Sequence, residues 1–325
     1  MPVIVWFFGD GFVQGGTNSL YYNPQTWVQR TQEHIVITVN FRSNIFGFPN
    51  AAHLTEQNLG ILDMRLALEW VRDNVVGFGG DPSKIIAWGQ SAGAIAIDYL
   101  SVAYPSNPIF SGMILDSGTA FYPRSVTESF DTSHSNFSSI SAALGCNVSK
   151  SEIDCLRNAT WQDIEAAVQN ASSIVNFLPV SDERIVFANY TERFNTGFDT
   201  MANFPNISPP EYPGAYHAAE LPLLFGTAAQ YHGLSTEYED DVSEKFQDLW
   251  VKFAKNTQDG LRDAGWSPYE EGKAILIGGT DTPLKLLNIT DLDGAHAQHN
   301  KPDKTSSLLS IDTIVVNGNY VLVPS

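Results

Sequence analysis

Short apolar runs alternate with longer segments of helical periodicity over the first 120 residues. Residues 2–8, 35–40, 84–88 and 112–116 are compact apolar stretches without strict polar alternation, the pattern of strands buried on both faces. Between the second and third of them, residues 58–75 place Leu62, Leu66, Leu68, Trp70 and Val71 at roughly helical spacing. Further on, residues 240–255 predict an amphipathic helix. Val242, Phe246, Leu249, Trp250 and Phe253 form one stripe, with Glu, Lys and Gln opposite, and that stripe reads as core packing. Strands alternating with helices predict an α/β fold, a mainly parallel, doubly wound sheet flanked by helices. Residues 133–151 are polar and Ser-rich, 151–168 read as a short helix, and 196–213 read as irregular loop. Residues 291–303 are polar. Asn317-Gly318 between two apolar runs then predicts a hairpin over 314–323. No internal repeat and no second domain is visible.

The turns between these elements hold the candidate chemistry. Gly79-Gly80-Asp81-Pro82 introduces the strand at 84–88, which runs into Gly89-Gln90-Ser91-Ala92-Gly93. Small and apolar residues 94–100 then predict a buried helix. Strand, G-x-S-x-G, helix is the setting in which a serine sits on a sharp turn with its hydroxyl clear of the sheet. The glycines on either side let strand and helix approach, and the N–H of Ala92 points where an oxyanion would form. Residues 9–16, Gly-Asp-Gly-Phe-Val-Gln-Gly-Gly, make a second glycine-rich loop. It lacks Gly-Lys-Ser/Thr and precedes no helix pattern, which excludes a phosphate-binding loop and favours backbone N–H groups aimed at an oxyanion.

Composition narrows the classes. Hydrophobic residues make 43% of the 325 and charged residues 17%, which is globular. A formal charge of −18 argues against nucleic acid or an anionic membrane as partner. No apolar run reaches the ~18 residues of a membrane span. The opening residues have no basic start and no cleavage site, so they do not read as a signal sequence. Cys146 and Cys155 lack histidine support and C-x-x-C spacing, which makes a poor zinc site and favours a local disulfide. Sequons begin at Asn136, Asn147, Asn158, Asn170, Asn189, Asn206 and Asn288. Five of them between 136 and 189 favour a glycosylated, secreted chain whose signal sequence is absent from these residues.

Four blocks carry a family resemblance. They are Val5-Trp6-Phe7-Phe8-Gly9-Asp10-Gly11-Phe12; Asn58-Leu59-Gly60-Ile61-Leu62-Asp63 with Ala67-Leu68-Glu69-Trp70-Val71; residues 78–93; and Gly214-Ala215-Tyr216-His217-Ala218-Ala219-Glu220-Leu221-Pro222. On these the chain resembles the type B carboxylesterase/lipase family, the cholinesterase-like α/β-hydrolases, in a fungal secreted form. The resemblance implies an α/β-hydrolase domain over residues 1–290, incomplete relative to the family, and a tail of uncertain structure over 291–325. Ser91 looks like the nucleophile and His217 like the general base, while His34, His53, His134, His232, His296 and His299 read as surface or core histidines. The oxyanion hole maps to the N–H groups of Asp10, Gly11 and Ala92. Cys146 and Cys155 look like a family disulfide pair. No metal or cofactor is implied, and the substrate would be a small-molecule or lipid carboxylic ester.

Three departures from the family qualify that reading. The loop has Phe8-Gly9-Asp10-Gly11 where the family usually has His-Gly-Gly-Gly, so Asp10 is expected to take a strained φ and to turn its carboxylate to solvent. The family's N-terminal strands have no counterpart. The segment that carries the triad acid is missing too, because the resemblance stops near Tyr190–Arg193 and resumes near Phe204–Pro205. That acid is therefore unknown. Asp182, Glu183, Glu192, Asp199 and Glu211 are the nearest carboxylates before His217, and each reads as a solvated loop charge. Loss of a triad acid costs thousands-fold in turnover. Two functions follow: a serine ester hydrolase, or an impaired or inactive relative acting as a binding module.

Overall fold

The computed structural model describes residues 1–121, 128–147, 151–171, 175–190, 206–207, 218, 220–231, 234–268, 271–278, 282–288, 309–310, 313–316 and 319–322. The strands, in chain order, are β1 (Val3–Phe7), β2 (Ile35–Val39), β3 (Ile85–Gln90), β4 (Gly112–Asp116), β5 (Asn206–Ile207), β6 (Lys273–Ile277), β7 (Leu284–Asn288), β8 (Leu309–Ser310), β9 (Thr313–Val316) and β10 (Asn319–Leu322). The helices are α1 (Gln25–Thr31), α2 (Asn44–Gly47), α3 (Leu59–Asn74), α4 (Ala92–Ala103), α5 (Ser135–Ala143), α6 (Glu152–Leu156), α7 (Trp161–Ala171), α8 (Leu221–Phe225), α9 (Ala228–Tyr231), α10 (Glu237–Lys255) and α11 (Gly260–Asp263).

Eight strands form one sheet in the order β2-β1-β3-β4-β9-β10-β6-β7. The four strands of the N-terminal half run parallel, with Val3 opposite both Ile35 and Ile85. Every residue of β1 and β3 is buried, as their unbroken apolar runs require. Beyond β4 the sheet is mixed. The hairpin read from Asn317-Gly318 appears as β9 paired antiparallel with β10, set between β4 and β6. Residues 317–318 themselves lie outside the described set.

Both faces of the sheet are covered. Trp6 of β1 and Trp88 of β3 pack with tilted rings at 4.3 Å, and Trp27 of α1 and Phe225 of α8 pack on the same face. Helix α10 closes that face, tied to α1 by Arg30, which donates to Gln247 and Asp248. Helix α4 packs on the opposite face of β3 and β4. A smaller second core gathers Ile45, Ala51, Phe137, Ile140, Leu156 and Phe177 around Cys146. There Cys146 and Cys155 are bonded, their Cα atoms 5.7 Å apart.

Three local differences from the sequence reading have physical causes. Helix α10 starts at Glu237, three residues before the start read from the sequence, because Thr236 and Glu239 form a capping box. The helix read over 151–168 is two helices: Ser151 caps the first, and Thr160 takes the Asp163 N–H to start the second. The Ser-rich stretch holds helix α5, which buries only Phe137, Ile140 and Ser141 and so carries a thin apolar signal.

Candidate active site

The strand order itself points to one end of the sheet. From β1 the chain crosses one way to β2, then returns past β1 to β3 on its other side. Ligand crevices in open parallel sheets form at the C-terminal ends of strands flanking such a reversal. Here those ends are Phe7 and Gln90, and the residues that follow are the glycine loop and Ser91.

Ser91 sits between the last residue of β3 and the first of α4, at φ 53° and ψ −121°. An L-residue is strained there, so the surrounding packing must hold it. Gly93 is one such constraint, since a Cβ on it would fall 2.2 Å from the carbonyl oxygen of Phe7. Gly89 has the same tightness against Gly93, which explains glycine two positions either side of the serine. The Ser91 N–H donates to the carbonyl of Asp116 at 2.7 Å, anchoring the turn to β4. Ala92 opens α4, so its N–H belongs to the unpaired first turn of a helix, where negative charge is favoured.

The glycine loop lies directly beside this serine. A Cβ on Gly9 would fall 2.9 Å from the Ser91 Cβ. Asp10 and Gly11 follow in a short 3-10 turn at φ 64° and φ 65°. Asp10 is exposed, as its expected outward orientation requires. Burial, and then the negative charges of Asp10 and Glu220, push the Tyr22 hydroxyl up to about 12. Tyr22 therefore stays neutral. Tyr22 also packs on α8, its ring 5.9 Å from that of Phe225.

His217 lies outside the described residues, as do Glu192, Asp199 and Glu211. Ala218 packs against the main core, and buried Glu220 precedes α8, whose Phe225 stacks on Trp88 at 4.9 Å. Asp182 is not a solvated charge. One of its oxygens accepts the N–H groups of Arg184, Ile185 and Val186, and the other accepts Asn58 Nδ2 at 2.9 Å. Glu183 accepts the Ala188 N–H from an exposed position. Both organise the 182–188 turn.

The sequence reading gave no role to four buried carboxylates: Asp98 on α4, Asp116 at the end of β4, Glu128, and Glu220 of the fourth family block. Asp116 accepts the indole N–H of Trp88 at 2.7 Å, and Glu128 accepts the Ser181 hydroxyl at 3.0 Å. An acid inside the otherwise apolar run 92–102 was the available signal for Asp98.

The sequons differ in access. Asn147, Asn158, Asn170, Asn189 and Asn288 are exposed, whereas Asn136 is half-buried and its amide donates to the carbonyl of Asn176. The side chain of Asn206 is outside the described set.

The pattern of the carboxylesterase family matches residues 1–197. The chain belongs to the carboxylesterase family. It is 37% identical over 324 residues to a chlorogenic acid esterase of Aspergillus niger, covering 80% of this chain and 62% of that protein. It is 36% identical over 380 residues to secreted lipase 5 of Gibberella zeae, covering 90% of this chain and 71% of that one. The chain thus spans about three-fifths of the first relative's length. The 380 aligned positions outnumber this chain's 325 residues, so the lipase carries internal residues that this chain lacks. Among solved structures a PNB esterase superposes with a TM-score of 0.71 at 21% identity, covering 93% of this chain and 80% of that one. That likeness establishes the α/β-hydrolase fold. No helix among the described residues is long and apolar enough to cross a membrane.

Proposed function

We propose that this carboxylesterase family member is a serine hydrolase of carboxylic esters. The observation that carries the reading is Ser91 itself, held at φ 53° on a strand-to-helix turn at the reversal point of the sheet, with the Asp10 turn beside it. Ser91 Oγ attacks the ester carbonyl carbon while His217 takes the hydroxyl proton. The N–H groups of Asp10, Gly11 and Ala92 hold the resulting oxyanion. The bond to the leaving oxygen then breaks, and His217 returns the proton to the departing alcohol. Water attacks the acyl-enzyme by the same route, giving its proton to His217, and the serine is regenerated as the carboxylic acid leaves. Relatives named for chlorogenic acid and for lipids support a small-molecule or lipid ester as substrate. Relatives named as secreted, together with the disulfide and the exposed sequons, support an extracellular location.

The test is fluorophosphonate labelling of the folded protein, mapped by peptide mass. Near-stoichiometric label on Ser91, absent in Ser91→Ala along with turnover of p-nitrophenyl butyrate, is the expected result. A cooperatively melting protein that takes no label overturns the reading and leaves a folded non-enzyme.

A further inference from the structure

Helix α4 carries one carboxylate in a run of small and apolar residues. Asp98 lies two turns beyond Ser91 and has no exposed surface. Its Oδ2 accepts the backbone N–H of Ala120 at 2.7 Å. Ser101 Oγ, which donates to the Asp98 carbonyl at 2.8 Å, stands 3.4 Å from Oδ1. Ala120 ends the turn that leaves β4, and that turn lies against the back of the elbow. Ser117 takes φ 55° in it. A Cβ on Gly118 would fall 2.3 Å from the Ser91 carbonyl oxygen and 3.0 Å from Ile95 Cγ1. With the Ser91 N–H already on the Asp116 carbonyl, the chain closes a ring: Ser91, up α4 to Asp98, across to Ala120, and back through Gly118 to Ser91.

We propose that Asp98 is a positioning residue for Ser91: by holding the Ala120 N–H it presses the 117–120 turn against the elbow and keeps the strained serine in place. Its catalytic consequence rests on the esterase reading above. A charge-assisted bond is the stronger kind, and a backbone held in an unfavourable φ needs more than one restraint. Ionisation of a group so placed works against burial, which pushes the Asp98 acid up to about 6 despite the Ala120 and Ser101 hydrogen bonds. The other titratable groups of this cluster are Tyr99, Tyr190 and Glu128. Tyr190 stacks on Tyr99 at 5.2 Å, and its hydroxyl is pushed up by burial first, then by Tyr99, Glu128 and Asp98, so it stays neutral.

The experiment compares Asp98→Asn with the wild type in the full chain. It follows hydrogen exchange by mass spectrometry over residues 88–95 and 114–121, the melting temperature, and the rate of fluorophosphonate labelling. The expected result is faster exchange in both segments, labelling slowed about tenfold, and a melting temperature near about pH 8 that does not fall, since Asn removes a buried charge. Unchanged exchange over 88–95, or an unchanged labelling rate, overturns the proposal. So does a lowered melting temperature with exchange raised evenly over the whole chain, the mark of a purely structural role. If the wild type takes no label, the esterase reading fails and exchange alone decides the brace. If Asp98→Asn does not fold, the wild type is compared at about pH 5 and about pH 8, with exchange corrected for its intrinsic rate. Weaker protection of both segments at the lower pH, relative to the rest of the chain, supports the brace, and protection that changes no more there than elsewhere overturns it.

Discussion

Ser91 donates its backbone N–H to the carbonyl of Asp116, 2.7 Å away on the neighbouring strand. The same Asp116 accepts the indole N–H of Trp88, three residues before the serine, also at 2.7 Å. One residue of β4 thus restrains β3 through its side chain and the turn after it through its main chain. Trp88 is fully buried, so its donor has no access to water when the partner is lost.

Trp88→Phe is expected to destabilise the fold by about 1–3 kcal/mol, the order of cost when one partner of a buried hydrogen bond is removed. Urea denaturation of Trp88→Phe, Asp116→Ala and the double variant closes a cycle on that bond. A coupling energy near zero would mean that the pair contributes shape and not energy.

Gly9 and Ser91 approach so closely that the side chain of alanine has no room. Gly9→Ala would place a Cβ 2.9 Å from the Ser91 Cβ and 2.7 Å from the Gln90 carbonyl oxygen. Because displacement of reacting groups by about 1 Å costs about a hundredfold in rate, the substitution is expected to lower kcat by about that factor. The crowding is also expected to cost about 1–3 kcal/mol of stability, seen as a lowered melting temperature of a protein that still folds. Wild-type turnover with Gly9→Ala would show that the loop does not border the reacting centre.

The disulfide stands outside this machinery. Cys146 and Cys155 belong to the smaller core with Phe137, Ile140 and Leu156. Closing a short loop stabilises by about 2–4 kcal/mol. Mild reduction is expected to lower the melting temperature and to raise exchange over residues 135–171, while labelling of Ser91 continues. Loss of labelling in step with reduction would instead tie the two cores into one unit.

Much of this arrangement is readable from local pattern. Unbroken apolar runs mark β1 and β3 because a strand covered on both faces has no reason to alternate, and glycines around Ser91 mark an approach that only a missing Cβ allows. What pattern misses depends on contacts distant in sequence. Asp182 looks like a loop charge until Asn58, more than a hundred residues earlier, is seen donating to it. Asp98 looks like an ordinary mid-helix residue and Asp116 like an ordinary strand end until Ala120 and Trp88 supply their donors. The insertion of β9 and β10 between β4 and β6 has no local signature, since Asn317-Gly318 predicts the hairpin and not its neighbours.

His34 and Asp98 give the last prediction, because they bend stability with pH in opposite directions. His34 is buried against Trp27, with Thr31 Oγ1 at 3.0 Å from its Nδ1. Burial first, then the positive charge of Arg30, lowers its pKa to about 4 from an ordinary 6.5. Between those values the unfolded chain binds the extra proton, so this group stabilises the fold as pH rises through the window. Asp98, pushed up to about 6 from 3.8 by burial, does the reverse: the folded chain binds the extra proton, and stability is lost as pH rises. Each pH unit separating folded and unfolded pKa is worth about 1.4 kcal/mol, and the two windows overlap, so the two slopes largely cancel in the wild type. Removing one group exposes the other. Relative to the wild type, His34→Gln should grow less stable between about pH 4 and about pH 6, and Asp98→Asn more stable, each measured by urea denaturation across that range. Parallel curves for the wild type and both variants would mean that neither group changes its proton affinity on folding.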